Sequence, residues 1–247
     1  MSNYAFEERY SRQIRLSQIG RDGQGKLASA RVLVIGMGGL GSPATLYLAS
    51  AGIGHLVLSD FDRVELSNLQ RQVIHRESAI DQPKALSAKQ TIATLNSDVE
   101  VTAIDWQLAD DELADQVRKA DVVLDCSDNF ETRFATNAAC HANRTPLVSG
   151  AAIRFDGQLT TFDFQQESSA CYHCLFGGEG FAESCAAEGI LSPVVGMIGV
   201  MQALEAVKLI TGVGQALTGR LLLFDGLESR FQEVRYGKDP GCHVCGN

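Results

Sequence analysis

The sequence predicts an α/β fold: a doubly wound, mostly parallel, Rossmann-like sheet that turns antiparallel in its C-terminal part. Three observations predict it. The β-prone apolar run Val32–Ile35 leads straight into G-x-G-x-x-G at Gly36, Gly38 and Gly41, the pattern of a buried strand turning into a helix over a phosphate. Segments of strand and helix character then alternate as far as Ala152, which implies crossover connections and parallel strands. After Ala152 the rhythm changes to the alternating apolar residues of RFDGQLTTFDF, which read as antiparallel strand.

Taken in order, residues 4–29 read as one or two helices, an arm that brings Arg9, Arg12 and Arg15 close together. The first strand is Arg31–Ile35. The helix after the glycines runs from about Leu40 to Ala51 and stops at Gly52 and Gly54, residues suited to a C-cap. A second strand, His55–Ser59, ends at Asp60. The segment 61–75 is irregular. Pro83 opens a helix to about Leu95, since proline suits a first turn. Val99–Ile104, Asp121–Asp125 and Leu147–Ala151 supply three more strands, with helices Asp110–Lys119 and Phe130–Asn143 between them. Arg154–Phe164 is the antiparallel strand, and Gly177–Glu188 is a flexible, Gly- and Glu-rich segment. A buried helix over about Pro193–Ile210 and strands Arg220–Phe224 and Arg230–Val234 complete the chain. No repeat or linker is visible, so one domain over residues 1–247 is expected: an arm (1–30), a nucleotide-binding half (31–152) and a second half (153–247).

A chain of 247 residues with a net charge of −9 is a poor general binder of nucleic acid or of a membrane surface. Any anionic ligand must be held by a local cationic pocket. The opening MSNYAFEERYSRQ lacks the apolar stretch of a signal peptide. The most apolar run, Ile190–Ile210, is interrupted by Ser192, Pro193, Gln202, Glu205 and Lys208, which favours a buried helix over a membrane span. Four of the seven cysteines fall in two CxxC pairs. That usage suggests a reducing compartment, the cytoplasm, and metal ligation rather than disulfides.

The pairs are Cys171/Cys174 and Cys242/Cys245. Four thiolates can close a tetrahedron around zinc, with no open position for water, so the expected role is structural. His173 and His243 lie inside the loops, but four sulfurs already complete a site. The rival reading is two unrelated pairs or a redox CxxC.

The glycine motif and Asp60, placed about 20 residues later where a carboxylate accepts a ribose hydroxyl, do not name the nucleotide by themselves, and NAD is the default. An NAD-dependent oxidoreductase rests on those residues alone. Three downstream features favour ATP: Ser67-Asn68-Leu69-Gln70-Arg71-Gln72, then Lys84 after Pro83, then Asp128-Asn129 beyond the fourth strand. Departing pyrophosphate gathers negative charge that Arg and Lys donors stabilise. Magnesium prefers one or two carboxylates beside phosphate and water, which suits Asp128. Singly, each is an ordinary surface charge; together on one sheet edge they mark a site. No G-x-x-x-x-G-K-[ST] occurs, so this is not a P-loop.

GMGGLG, Asp60-Phe-Asp62, SNLQRQ, QPK, DCSDN and VSGAA, followed by the two CxxC pairs, resemble the MoeB/ThiF/HesA family, bacterial relatives of ubiquitin-activating enzymes. The resemblance covers nearly the whole chain. The stretch VSGAAIRFDGQ looks closest to the molybdopterin branch, and the thiamine branch is very similar. The resemblance implies an enzyme that binds ATP and the Gly-Gly tail of a small, MoaD-like, ubiquitin-like sulfur carrier, seated on residues 153–247. The tail carboxylate attacks the α-phosphate and pyrophosphate leaves; a sulfur donor, such as a sulfurtransferase, then converts the adenylate to a thiocarboxylate. Because a carboxylate is already ionised near neutral pH, no general base is required. A non-catalytic module gripping a ubiquitin-like protein is the remaining reading.

Carried over by motif, Gly39 lies at the phosphate turn, Asp60 holds the ribose, Asn68, Arg71 and Lys84 face the phosphates, and Asp128 holds magnesium. Asp62, Ser67, Leu69, Gln70 and Asn129 belong to the same motifs. Arg12, in RYSRQ, matches an arginine that relatives reach across a homodimer to the partner's ATP; the bland alternative is a helix-surface arginine. Cys185, in FAESCAAEG, stands where relatives carry a cysteine, sometimes a covalent acceptor. An exposed thiol near a helix N-terminus would be nucleophilic, and a loop cysteine without a role is the equal alternative. Cys126 and Cys140 are expected to be buried as small apolar residues.

Overall fold

Glycine and proline punctuate the apolar runs, and the runs become strands. A computed structural model describes residues 3–177 and 189–246. Cys185 and most of the Gly- and Glu-rich segment lie outside the described residues. The elements are α1 (Asn3–Ile14), α2 (Gly20–Ser29), β1 (Arg31–Ile35), α3 (Gly41–Ala51), β2 (His55–Ser59), α4 (Lys84–Leu95), β3 (Glu100–Ile104), α5 (Asp110–Arg118), β4 (Val122–Asp125), α6 (Phe130–Asn143), β5 (Leu147–Ile153), β6 (Asp156–Phe162), α7 (Tyr172–Phe176), α8 (Ser192–Thr211), β7 (Arg220–Asp225) and β8 (Arg230–Arg235). Short 3-10 turns at Leu66–Asn68 and Glu77–Ala79 interrupt the irregular segment before α4.

The strands form one sheet in the order β3-β2-β1-β4-β5-β6-β7-β8. The first five run parallel, with Val34 opposite both Leu58 and Leu124. From β5 onward the pairing is antiparallel. The direction of winding reverses between β1 and β4, which opens a crevice at their carboxyl ends.

Central parallel strands are covered on both faces and are therefore apolar on both. Val32, Val34, Leu56, Leu58, Val122 and Leu124 pack with α3, α4 and α8. Leu33, Ile35, Val57 and Val123 pack with α5, α6 and the cysteine turns. Helix α8 is long and apolar enough to cross a membrane by length and composition. It nonetheless buries Gln202 and Glu205 with protein partners: Gln202 Nε2 donates to Asp125 O at 2.7 Å, and Glu205 Oε2 accepts from Leu217 N at 2.7 Å. Such satisfied polar groups belong to the core helix of a folded domain.

Most boundaries shift only slightly from the sequence reading, and the shift at the β5–β6 turn has a clear cause. The antiparallel strand was expected from Arg154, but β5 continues to Ile153 and β6 starts at Asp156. Arg154 takes a φ of 52° inside a two-residue turn, which ends the extended run. Its backbone pairs with the returning chain instead, through Arg154 N to Gly189 O and Leu191 N to Arg154 O.

The arm docks at the end of α3 remote from the glycine motif. Gly52, at φ 88°, caps α3, and a Cβ there would meet the Tyr10 ring at 2.6 Å. Tyr10 is buried, and its hydroxyl accepts from Asn96 Nδ2 at 2.8 Å. Gln13 Nε2 donates to Ala51 O at 3.0 Å. Arg12 lies on the exposed side of α1.

Candidate active site

The three glycines of G-x-G-x-x-G have three different reasons to be glycine. Gly36 sits at φ 93°, and a Cβ would strike Cys126 O at 2.7 Å. A Cβ on Gly41 would lie 1.8 Å from Gly36 O, so the turn closes only without one. At Gly38 a Cβ would meet nothing nearer than Gln72 Nε2 at 3.6 Å. Its reason is the open space itself, where a ligand can approach the backbone. No described residue offers an acceptor to the N–H groups of Gly38, Gly39 or Leu40, and α3 has no side-chain N-cap. These donors and the helix dipole point at one place, a ready anion site.

That place is a cavity of about 500 Å³ over the crevice between β1 and β4, a size usual for small-molecule sites. Gly36, Gly38, Gly39, Asp60, Asp62, Arg71, Lys84, Asp128 and Asn129 all line it. Asp60 Oδ2 accepts from Met37 N at 2.7 Å and Oδ1 from Asp62 N at 2.8 Å, which fixes the carboxylate beside the glycine turn. Burial pushes its pKa above the usual range, opposed in part by the charge of Lys84. Buried Lys84 bonds Asp62 Oδ2 at 2.8 Å, so Asp62 serves here as the lysine's holder. No described residue bonds the carboxylate of Asp128, which stands exposed at the rim.

Gly41, Ser67, Asn68, Leu69 and Gln70 are not on the cavity wall. Gly41 acts through the turn. Asn68 and Ser67 contact Arg71 instead: Asn68 Oδ1 and Ser67 O each accept from its guanidinium at 3.3 Å. Arg12 is not on the wall either. The 107–110 loop after β3, Arg133 and Ile153 also line the wall, and the sequence reading did not single them out; Gln72, Ser127 and Ala151–Ala152 do too, and lie inside the SNLQRQ, DCSDN and VSGAA motifs without having been given a role of their own. Arg133 looks in sequence like any helix-surface arginine, yet it is buried.

The four paired cysteines converge, with all sulfur atoms within 4.8 Å of one another. Individual separations are 3.8 Å for Cys171–Cys174, 3.7 Å for Cys171–Cys242 and 3.2 Å for Cys174–Cys245. Tetrahedral zinc, with bonds of about 2.3 Å, would set sulfurs about 3.8 Å apart. A disulfide would need about 2.05 Å. The donor set therefore fits a four-thiolate metal site. Burial pushes Cys171 up to about 11. Burial also opposes ionisation of Cys242, but the N–H groups of Cys245 and Val244 and the nearby thiols bring it down to about 6. The imidazole of His173 lies beside that of His243, ring centroids 3.9 Å apart. Cys126 and Cys140 are buried, as expected, and burial raises both thiols.

Residues 10–244 match the model of the ThiF family. The chain is 45% identical over 240 residues to the molybdopterin-synthase adenylyltransferase of Escherichia coli (strain K12), covering 96% of each chain. It is 48% identical over 239 residues to the sulfur carrier protein ThiS adenylyltransferase of the same strain, covering 96% of this chain and 94% of that one. The fold is similar to a crystal structure of E. coli MccB, with a TM-score of 0.84 at 24% identity over 98% of this chain and 73% of that chain. With the family model spanning 10–244 and these full-length relatives, the chain belongs to the ThiF family.

Proposed function

We propose that this chain is an ATP-dependent adenylyltransferase for the C-terminal glycine carboxylate of a small, MoaD-like, ubiquitin-like sulfur carrier in molybdopterin biosynthesis, the thiamine-pathway carrier being the alternative. The observation that carries it is one cavity holding the amides of Gly38, Gly39 and Leu40, to which no described residue offers an acceptor, together with Arg71, Lys84 and Asp128. An NAD enzyme has little use for extra cations and a magnesium-type carboxylate beyond its pyrophosphate loop.

The triphosphate lies along the glycine amides, with Asp60 toward the ribose. A carrier-tail oxygen attacks the α-phosphorus, and the bond from it to the bridging oxygen breaks. Negative charge gathers on departing pyrophosphate, where Arg71 and Lys84 receive it. Asp128, whose carboxylate no described residue bonds, would hold magnesium, which supplies charge neutralisation on the phosphates. Asn129 stays at the head of α6, its Oδ1 accepting from Thr132 N at 2.9 Å. Catalysis rests on positioning and charge, since the nucleophile is already ionised.

The placement of Arg12 supports action in a second copy of the chain. Its helix is anchored at the end of α3 remote from the phosphate turn, a helix length of about 16 Å away. An arginine held there serves a partner's cavity in a homodimer. The cysteine cluster would hold structural zinc. A sulfurtransferase or equivalent donor consumes the adenylate, in the cytoplasm. Cys185 is not required for adenylation, so Cys185→Ser is expected to leave exchange intact while testing any later covalent step.

The deciding experiment is ATP–pyrophosphate exchange with the molybdopterin and thiamine carriers side by side. Exchange is expected only when a Gly-Gly-tailed carrier is present, and faster with the molybdopterin one. No exchange with either carrier would overturn the reading.

A further inference from the structure

The Asp128 turn leads directly into α6, the cysteine-bearing α7 packs against the same helix, and buried hydrogen bonds join the two. Tyr172 stands between Cys171 and Cys174, and is fully buried. Its backbone N donates to Asn137 Oδ1 at 2.8 Å. Its hydroxyl accepts from Arg133 Nη1 at 3.4 Å. Arg133 Nη2 in turn donates to Ser127 O at 2.7 Å and to Gly150 O at 3.4 Å. Arg133 and Asn137 lie at i and i+4, so both α6 members of the relay share one face of the helix.

The relay is built with some strictness. Asn137 is fully buried, and among the described residues its Nδ2 has no partner. A buried orphan donor carries a desolvation cost, so the amide is held for what its oxygen does, which is to accept from Tyr172. The Tyr172 ring is clamped by Phe134 at 5.4 Å and Phe176 at 4.6 Å between centroids. At the other end, Ser127 donates to Asp125 Oδ1 through its N at 3.1 Å and its Oγ at 2.6 Å. Ser127 is thus pinned through its amide, its hydroxyl and its carbonyl. Asp128 follows it directly on the cavity rim.

We propose that the four-cysteine knuckle sets the geometry of the Ser127–Asn129 turn through Tyr172, Asn137 and Arg133, so that metal loading of the knuckle raises nucleotide affinity as well as stability. Arg133 and Tyr172 are positioning residues in this account. The inference rests on the adenylation reading only for the identity of the nucleotide. A metal that gathers the four thiolates holds the Cys171–Cys174 turn, and with it Tyr172. Loss of the metal frees that turn; Arg133 then loses its Tyr172 anchor, and the Ser127 carbonyl gains freedom to move. Coupling between two sites of a domain is commonly worth about 5- to 150-fold in affinity.

The test uses the full-length, metal-loaded protein, with hydrogen exchange of the amides at 127–132 and calorimetric MgATP binding as readouts. Tyr172→Phe cuts the link to Arg133, and Asn137→Leu cuts the link to the Tyr172 backbone. Both variants are expected to keep their metal while losing protection at 127–132 and binding MgATP several-fold more weakly. Chelation is expected to weaken MgATP binding about tenfold in the parent chain, and far less in the double variant. Unchanged protection at 127–132 in both loaded variants would overturn the proposal. So would an equal chelation effect in parent and double variant. Should chelation unfold the chain, the loaded variants decide. Should the loaded parent bind no MgATP, the adenylation reading falls while the amide protection still judges this coupling.

Discussion

Lys84 Nζ lies 2.8 Å from Asp62 Oδ2, and the lysine side chain is 6% exposed against 55% for the aspartate. The buried partner is therefore the cation, and the exposed anion holds it at the cavity wall. Removing Asp62 strands a desolvated ammonium. Asp62→Ala should cost about 1–3 kcal/mol of stability, read as a lower melting temperature that added pyrophosphate restores in part. Lys84→Met keeps the apolar stem and loses only the charge. It should melt near the parent temperature yet slow carrier-dependent exchange by about 10²–10³-fold, the usual loss for one charge-stabilising donor. Parental exchange rates in Lys84→Met would remove the lysine from the mechanism.

The glycines separate folding from binding. Gly41→Ala puts a methyl 1.8 Å from the Gly36 carbonyl. Neither backbone can yield without opening the turn, so the variant should be grossly destabilised or insoluble. Gly38→Ala meets no atom closer than 3.6 Å, so it should fold with a melting temperature within a few degrees of the parent. Its methyl projects where phosphate approaches, and ATP affinity should drop at least tenfold in calorimetry, about 1.4 kcal/mol. Normal ATP binding by the Gly38→Ala variant would mean that the phosphates lie elsewhere.

Asp60 gives a pH dependence with a definite sign. Burial raises its folded pKa above the unfolded value, outweighing the opposing charge of Lys84. The native chain then holds this proton more tightly than the unfolded chain does. Stability from this group falls as pH rises through the interval between the two values, and it stays lower at neutral pH. Asp60→Asn cannot ionise. The variant should therefore gain on the parent as pH rises from about 3 to 7, in urea melts run at a series of pH values. On the proposed reading the same change removes a charged acceptor from the ribose and should weaken ATP binding about tenfold or more. A variant that loses ground as pH rises would show that the ionised carboxylate stabilises the fold.

Much of this molecule was legible because its signals are local. The runs at Val32–Ile35, His55–Ser59 and Val122–Asp125 are apolar on both faces and bounded by glycine or charge, so their strand identity needed no partner. The cysteine knuckle was legible from CxxC spacing alone. The end of β5 was not, because the turn at Arg154 depends on a φ of 52° in a residue with no turn preference of its own. The wall from Gln107 to Asp110 was hidden as well. It faces the cavity only because β3 lies at the sheet edge and aims the following loop back over the crevice. Arg133 was hidden for a different reason. Helical periodicity places it on a face, and only the packing of Tyr172 against that face reveals that it is buried. Asn68 belongs to the SNLQRQ motif yet is off the cavity wall, where it bonds Arg71 instead.

Arg12 yields the sharpest test of the assembly. Tyr10 is wedged against Gly52, and Gln13 is bonded to Ala51 O at 3.0 Å. These contacts hold α1 against the foot of α3, so an arginine between them cannot swing to the phosphate turn of its own chain without undocking the arm. If it acts, it acts on a neighbour. Arg12→Ala and Asp128→Ala should each abolish exchange as pure proteins, since every cavity then lacks one component. Mixed and allowed to exchange subunits, they should recover activity, because a heterodimer contains one cavity with an intact Asp128 and an intact Arg12 from the other chain. With random pairing, about half the dimers are mixed and each has one complete site, so the mixture should reach about a quarter of parental exchange. A charge supplied in trans to a phosphoryl group can be worth about 10³–10⁵ in rate, so the recovered signal should stand far above either background. Parental exchange by pure Arg12→Ala would assign Arg12 to the helix surface, and recovery absent despite confirmed subunit exchange would overturn its action in trans.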